Sequence, residues 1–399
     1  MNFSRRNAHS GRVLMLALFF SVFSFLISCH SGPTGQESKK SFTGYLTTAG
    51  DSTDRFQVAV VKGTPYEMGQ QLGTMLKDEI TVCLNTFLAA ARQESPEAFG
   101  NEALDKAWEV NSPFIDERVK EEMKGLADAT GLDLQDIRRA HMVPVVGTYS
   151  CSGVVVWGPA TATGHTYQIR NLDFSKDAGL QDHPLVVVYV PDSGAVQVNV
   201  SFAGYIASHT GMNARHLVFG EIGESPASEY PYDLHGAHFS FLFRKMMYDA
   251  TSLDDIIRTI RTTPLIKRYF LFFSDGREAS QGGVKVLVST PDSVKYHIWR
   301  DNDPDDIDAP NVLPNVVYNT MNNPVAFKML KEYYGRFDAD KMIELSRAVA
   351  DEDGNLMNVV YDATTMEMWI AYANGQEDAS RQGYVRLSLD ELLEQAGLK

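Results

Sequence analysis

Ser150-Cys151-Ser152-Gly153-Val154-Val155-Val156-Trp157 runs into a turn at Thr161-Ala162-Thr163-Gly164 and returns as His165-Thr166-Tyr167-Gln168-Ile169-Arg170-Asn171-Leu172-Asp173-Phe174. Two β-rich runs around a Gly-containing turn read as an antiparallel hairpin. A turn centred near residues 161–162 sets Cys151 opposite Leu172 and Gly153 opposite Arg170, because opposed residues advance together along the two strands. A thiol, a guanidinium and the Asp173 carboxylate then meet at the open end of one hairpin. An adjacent cation favours the thiolate, the reactive form of cysteine. A structural Arg–Asp pair beside a buried cysteine fits the same spacing.

Outward from this hairpin the pattern differs on the two sides. Upstream, helices dominate. Thr64-Pro65-Tyr66-Glu67 is a capping box with Pro at the first helical position. Met68, Leu72, Leu76, Ile80, Cys83 and Phe87 follow at helical spacing. Gly69 and Gly73 leave a small face for close packing, a second helix starts at Ser112-Pro113, and a short third one follows Asp133. Downstream, a second hairpin pairs Leu185–Val190 with Ala195–Phe202. Helices at about 238–250 and 253–262, the latter capped by Ser252, precede strands at Tyr269–Phe273, Val284–Ser289, Val294–Trp299 and Val316–Asn319. A helical region at about 325–350 and strands Leu356–Tyr361, Met366–Tyr372 and Tyr384–Leu387 complete the chain. Hairpins outnumber crossovers, so the expected class is α+β, with two stacked, mostly antiparallel sheets between helical layers.

The two ends of the property range exclude other classes. The chain has 399 residues and a formal charge of −15, with no basic footprint for nucleic acid. Arg5, Arg6 and Arg12 precede the apolar run Val13–Ile27, a signal-peptide pattern too short for a confident membrane span. Leu26-Ile27-Ser28-Cys29 resembles a bacterial lipoprotein signal box, which implies lipidation at Cys29 and removal of residues 1–28. Residues 29–55, rich in Ser, Gly, Thr and Lys, are expected to be a flexible tether. An exported, membrane-anchored protein facing the periplasm, or held at the outer membrane, is the expectation.

The chemistry turns on what accompanies Cys151. The ten histidines form no Cys–His motif, His165 and His209 being weak single candidates, and none has metal-ligand spacing. No Gly-rich phosphate loop precedes a helix, so neither metal nor cofactor is expected. Cys83 reads as a small core residue of its helix, and a Cys83–Cys151 disulfide is the structural alternative for both thiols. A cysteine nucleophile without a histidine base suggests that its own α-amino group is the base, with a pKa of about 7.7–8.0. That group exists only if the Ser150–Cys151 bond is cut.

These residues resemble the penicillin acyl-coenzyme A acyltransferase family of autoproteolytic N-terminal-nucleophile hydrolases (peptidase family C45). They are more distantly similar to bile-salt hydrolases and acid ceramidase. The likeness runs from about residue 56 to 390 and rests on Gly63-Thr64-Pro65-Tyr66-Glu67-Met68-Gly69, Cys151-Ser152-Gly153 and Arg170-Asn171-Leu172-Asp173. It implies an αββα sandwich at 151–399 preceded by a helical propeptide or small subunit at 56–150, the two cut pieces staying together. It implies Cys151 as nucleophile, Arg170 and Asp173 binding substrate and orienting the amine, and Asn213 of Gly211-Met212-Asn213 in the oxyanion hole. A later Asn is implied at the end of a strand, and Asn319, Asn322 and Asn323 all fit it. Arg336 matches a later Arg of the family, although a surface helix residue is the plainer reading. The implied reaction is cleavage of a small-molecule N-acyl amide through an acyl thioester, or acyl transfer. A penicillin or bile-salt amidase and a non-catalytic, ligand-binding surface lipoprotein are the alternatives.

Overall fold

The computed structural model describes residues 42–147, 150–223, 232–289, 295–300, 312–352 and 354–399. The leader, Cys29 and Val294 lie outside the described residues. Strands β1 (Tyr45–Ala49) and β2 (Phe56–Gly63) lead into helices α1 (Pro65–Met75), α2 (Lys77–Glu94), α3 (Pro96–Phe99), α4 (Asn101–Asn111), α5 (Glu117–Thr130) and α6 (Leu134–Val146). Next come β3 (Ser150–Gly158), β4 (Gly164–Asp173), β5 (Pro184–Pro191), β6 (Gln197–Phe202), β7 (Thr210–Asn213) and β8 (Leu217–Glu221). Helices α7 (Phe239–Asp249) and α8 (Leu253–Thr262) precede β9 (Tyr269–Asp275), β10 (Gly282–Ser289), β11 (Lys295–Trp299) and β12 (Val316–Asn319). The last elements are α9 (Asn323–Glu332), α10 (Ala339–Val349), β13 (Asn355–Asp362), β14 (Glu367–Tyr372), β15 (Val385–Ser388) and α11 (Leu389–Gln395).

The strands form two sheets among the described residues, one ordered β1-β2-β5-β6-β7-β8-β9-β10-β11 and the other β12-β3-β4-β13-β14-β15. Every pairing is antiparallel except β2 with β5. Strand alternation sorts β3 and β4 into two faces. Val154, Val156, Tyr167 and Ile169 pack with Ala326 and Leu330 of α9 and Met342 and Leu345 of α10. Cys151, Val155, Trp157 and Leu172 point the other way, into the larger core shared with the nine-stranded sheet and the upstream helices. The two sheets stack closely: a Cβ on Gly153 would lie 2.8 Å from Ile222 Cγ2, and one on Gly283 would lie 2.7 Å from Val155 Cγ1. The α+β class with two stacked sheets and flanking helices therefore holds.

Three parts of the upstream reading need correction. Residues 45–49, placed by composition in the tether, are an edge strand paired to β2 from Tyr45↔Val60 to Ala49↔Phe56. The Ser and Gly around them masked the β-forming run Tyr45-Leu46-Thr47-Thr48. The segment 56–150 is not only helical either, since β2 lies between β1 and β5 inside the nine-stranded sheet. Its run Phe56-Gln57-Val58-Ala59-Val60-Val61 is buried with no period-two alternation, as expected of a strand covered on both faces. The helix after Asp133 is also longer than expected, 13 residues.

Side chains further bind this upstream piece to the rest. Arg244 Nη2 meets Glu122 Oε2 at 2.7 Å, both fully buried, and the guanidinium lies 3.9 Å from the Tyr189 ring centroid. Asn111 Nδ2 donates to Gly236 O at 2.6 Å, and Ile206 N donates to His141 Nε2 at 2.8 Å. The upstream helices themselves pack through glycine. A Cβ on Gly125 of α5 would sit 2.0 Å from Tyr66 O of α1, and one on Gly69 would sit 2.1 Å from Glu122 O. Backbone blocks both positions, so the helices would have to separate. Gly125→Ala is therefore expected to lower the thermal unfolding midpoint, overpacking of about 1–3 kcal/mol or more outweighing a helix-propensity gain of about 1 kcal/mol. An unchanged midpoint in a thermal melt would show that α1 and α5 can slide apart without loss.

Candidate active site

Strand register assembles the site. Cys151 stands opposite Leu172, Gly153 opposite Arg170, and Ser150 opposite Asp173, as the hairpin spacing predicts. On the other side of β3, Asn319 of β12 also stands opposite Gly153. Opposed residues share a face, so Cys151, Arg170 and Asn319 all point into the space between the sheets. Cys151 is 3% exposed and Arg170 is fully buried. Room for the guanidinium comes from glycine on the facing strand: a Cβ on Gly220 would lie 3.2 Å from Arg170 Cγ.

The electrostatics differ from the sequence reading in one respect. Arg170 does not serve the thiol alone, because Glu221 of β8 is buried beside it. Arg170 Nε donates to Glu221 O at 3.2 Å, and Nη2 lies 3.8 Å from Glu221 Oε2. Burial pushes the Cys151 thiol far above the usual cysteine range, and the Arg170 charge and the Asp173 backbone N–H only partly oppose it. Glu221 and the Asp173 carboxylate push the same way as burial. Burial therefore favours the protonated thiol over the thiolate that an adjacent cation alone would favour. Sequence reasoning missed Glu221, although a carboxylate ending the apolar run Leu217-Val218-Phe219-Gly220 was a usable signal.

The polar groups around the sulfur retain unused capacity. Arg170 Nη1 and Nη2 carry no hydrogen bond, nor does Asn319 Nδ2. Asn319 Oδ1 accepts from Asn323 Nδ2 at 3.0 Å, and Asn323 Oδ1 accepts from Thr320 N at 2.8 Å. Asn322 instead caps α9 through Val325 N at 3.3 Å. Of the three candidate asparagines, Asn319 thus lies on the thiol's face, Asn323 orients it, and Asn322 belongs to the helix. Asp173 Oδ1 accepts from Asn355 Nδ2 at 2.9 Å and from Asp351 N at 3.3 Å, while Oδ2 has no partner.

Other candidates stand elsewhere. Asn213 is fully buried at the turn end of β7–β8, opposite Leu217, which pairs in turn with Asp275. Asp275 O accepts from Thr166 at the turn end of β4, about 20 Å along the strand from Leu172. The Asn213 amide donates to Met247 O at 3.1 Å and accepts from Arg215 N at 3.1 Å, so it fastens α7 to the turn. His165 also sits at that end, 2.7 Å from Asp362. Arg336 is exposed and donates to Glu332 O. His209 does come to the site's wall, stacked 4.8 Å from Tyr205, and burial keeps it neutral.

That wall borders a partly open apolar cavity of about 40 Å³, lined by residues from both sides of Cys151, among them Cys83, Phe87, Leu172, Phe174, Tyr205 and His209. Cys83 and Cys151 are free thiols rather than a disulfide. Burial pushes Cys83 up to about 12. Phe239, Phe241 and Phe243 are core residues that do not line the cavity. Among the described residues, no group of three His, Cys, Asp or Glu side chains is placed to hold a metal ion.

No family model matches the chain. In sequence it is similar to the protein dcd1B of Dictyostelium discoideum, 25% identical over 363 residues that cover 83% of this chain and 71% of that protein. In structure it is similar to a Caenorhabditis elegans ortholog of N-acylethanolamine-hydrolyzing acid amidase, with 17% identity and a TM-score of 0.42, covering 59% of this chain and 100% of that one. It is also similar to penicillin V acylase from Agrobacterium tumefaciens, with 13% identity and a TM-score of 0.40, covering 60% of this chain and 87% of that one.

The Asp173 environment has a measurable signature. Burial raises its pKa from 3.8 to about 6, against hydrogen bonds from Asn355 and the Asp351 backbone. A carboxyl raised on folding stabilises fully below its unfolded value, and that stability is lost as pH rises through the folded value. Uncut protein (a Cys151→Ala background) should therefore gain about 2 kcal/mol at pH 7.5 from Asp173→Asn, with the gain fading between pH 6 and 4. Thermal melts across pH check this. Destabilisation by Asp173→Asn at pH 7.5 would mean that Arg170 outweighs burial.

Proposed function

We propose that the chain is an N-terminal-nucleophile amide hydrolase with an αββα sandwich, in which Cys151 cuts its own chain after Ser150 and then acts on a non-peptide N-acyl amide. The observation that carries this reading is that donors without a hydrogen bond, Arg170 Nη1 and Nη2 and Asn319 Nδ2, lie on the same strand face as a buried thiol, near an apolar cavity. Orphaned buried donors cost stability. They are understandable as groups awaiting a ligand oxygen.

In maturation the thiol adds to the Ser150 carbonyl carbon and its proton passes to the Cys151 nitrogen. The C–N bond breaks, leaving a thioester and a free amine. Water then hydrolyses the thioester, giving a Ser150 carboxylate and regenerating the thiol. The new amine supplies the base that the buried thiol lacks. In this reading Asp173 holds it as an ammonium, which its pairing with Ser150 and its unbonded Oδ2 support.

In turnover the amine takes the thiol proton and sulfur attacks the substrate carbonyl. Asn319 Nδ2 donates to the oxyanion. The ammonium protonates the departing amine as the C–N bond breaks, and water releases the acid from the acyl thioester. The cavity takes the apolar acyl group, and Arg170 suits a carboxylate or other anionic group on the substrate. A tethered exported protein meets no acyl-coenzyme A pool, which favours hydrolysis over transfer. Export and a lipid anchor at Cys29 are part of this proposal. So is lasting association of the two pieces, supported by β2 inside the downstream sheet.

Denaturing electrophoresis and mass spectrometry test the reading. Wild type should run as two pieces, the second beginning at Cys151, and Cys151→Ala as one. An uncut wild type would point to a non-catalytic ligand-binding protein. With N-acyl amino acids, penicillins, conjugated bile acids and N-acyl ethanolamines as substrates, an acyl group should be trapped on Cys151. Asn319→Ala should lower kcat on the order of 100-fold, and Arg170→Ala should remove most activity. Full activity in Asn319→Ala would take that amide out of the oxyanion hole.

A further inference from the structure

Lys267 is a buried lysine that the reaction above does not use. It lies between α8 and β9 with a side chain 1% exposed. Its Nζ donates to Gly147 O at 2.6 Å and to Pro144 O at 3.3 Å. Gly147 is the C-cap of α6, whose last carbonyls have no partner within the helix. A lysine capping a helix C-terminus is worth about 0.3–1 kcal/mol at an exposed position. Burying an ammonium costs several kcal/mol, so capping alone does not account for the arrangement. Burial pushes Lys267 down to about 7, and the attraction of Glu221 opposes it. Glu221 is the same carboxylate that flanks Arg170.

The position of Gly147 in the chain supplies the missing reason. Two residues separate it from Ser150, whose carbonyl the thiol must attack, so the two lie within about 11 Å along the chain. At the other end, Ser150 is held by its pairing with Asp173. We propose that Lys267 is a positioning residue for maturation: by gripping the Gly147 carbonyl it fixes the upstream end of the segment that carries the scissile bond, so that the Ser150 carbonyl stays in line with the Cys151 sulfur. The assignment rests on reading Cys151 as a self-processing nucleophile. Misplacing a reacting group by about 1 Å costs up to about 100-fold in rate, so a loosened anchor slows the cut. The finished site does not need the anchor, because after cleavage the segment no longer carries a reacting bond.

The test follows full-length chains made by pulse-labelled synthesis, with cleavage read on denaturing gels. Lys267→Met removes the donors at similar volume and should slow cleavage about tenfold or more. The fraction that does mature should keep its turnover per mole within about twofold of wild type. Lys267→Arg, which keeps donors for both carbonyls, should restore cleavage to within about threefold. Thermal melts of the same variants carrying Cys151→Ala show whether the uncut fold survives. If Lys267→Met does not fold, Lys267→Gln takes its place with the same expected outcome. Cleavage at the wild-type rate without the ammonium overturns the proposal. So does an equal loss of turnover in matured molecules, which marks a general structural role. A wild type that is never cut removes the underlying reading instead, and the proposal falls with it.

Discussion

Burial of the Arg170–Glu221 pair between the two sheets is the constraint on which the rest of the structure depends. Both side chains are fully buried, and their closest charged approach is 3.8 Å. Taking two ions out of water costs several kcal/mol each, and a loosely matched pair returns only part of that. A hydrophobic pair of similar volume would be as stable or more so. The fold nevertheless makes space for it with glycine at 153 and 220, where a side chain would meet Ile222 or Arg170. The sheets approach closely at these points, and that closeness places Glu221 over the hairpin that holds the thiol. What the pair provides is a charge of fixed direction beside a sulfur that is itself shielded from water.

The same shielding gives the thiol its character. With burial dominant and the Arg170 charge partly spent on Glu221, sulfur keeps its proton until a base appears beside it. An N-terminal amine would be that base, present only in a chain cut before Cys151. A protein built this way would be inert until processed. Asp173 fits the same logic, since a carboxylate disfavoured by burial would gain a partner if an ammonium formed next to it.

Cutting at 150 would not divide the molecule. Strand β2, which precedes the cut, hydrogen-bonds in parallel to β5, which follows it. The Glu122–Arg244 pair and the Lys267 contacts cross the same boundary in the buried interior. The apolar cavity likewise takes Cys83, Phe87 and Pro144 from one side and Leu172, Phe174 and Tyr205 from the other. The apolar cavity is thus built by chain on both sides of residue 150, and losing the upstream part would open the core.

The sequence by itself determined what depends on neighbours in the chain. The β3–β4 register follows from turn position and a two-residue period, so the pairing of Gly153 with Arg170 was legible before any fold was known. The caps at Thr64 and Ser252 were legible because each is a local hydrogen bond. Strand β2 was not, since a strand buried on both faces shows no alternation and its partner lies about 130 residues on. Nor was the choice among Asn319, Asn322 and Asn323, which hangs on which one β12 delivers beside β3. Asn213 looked suitable in the sequence, yet its β7–β8 hairpin carries it to the far end of the stack. Glu221 and Lys267 reach Cys151 and Gly147 only across the gap between packed elements. Local hydrogen bonding and periodicity are written along the chain. The burial that disfavours charge on Cys151 and Asp173 arises only when the sheets close over them.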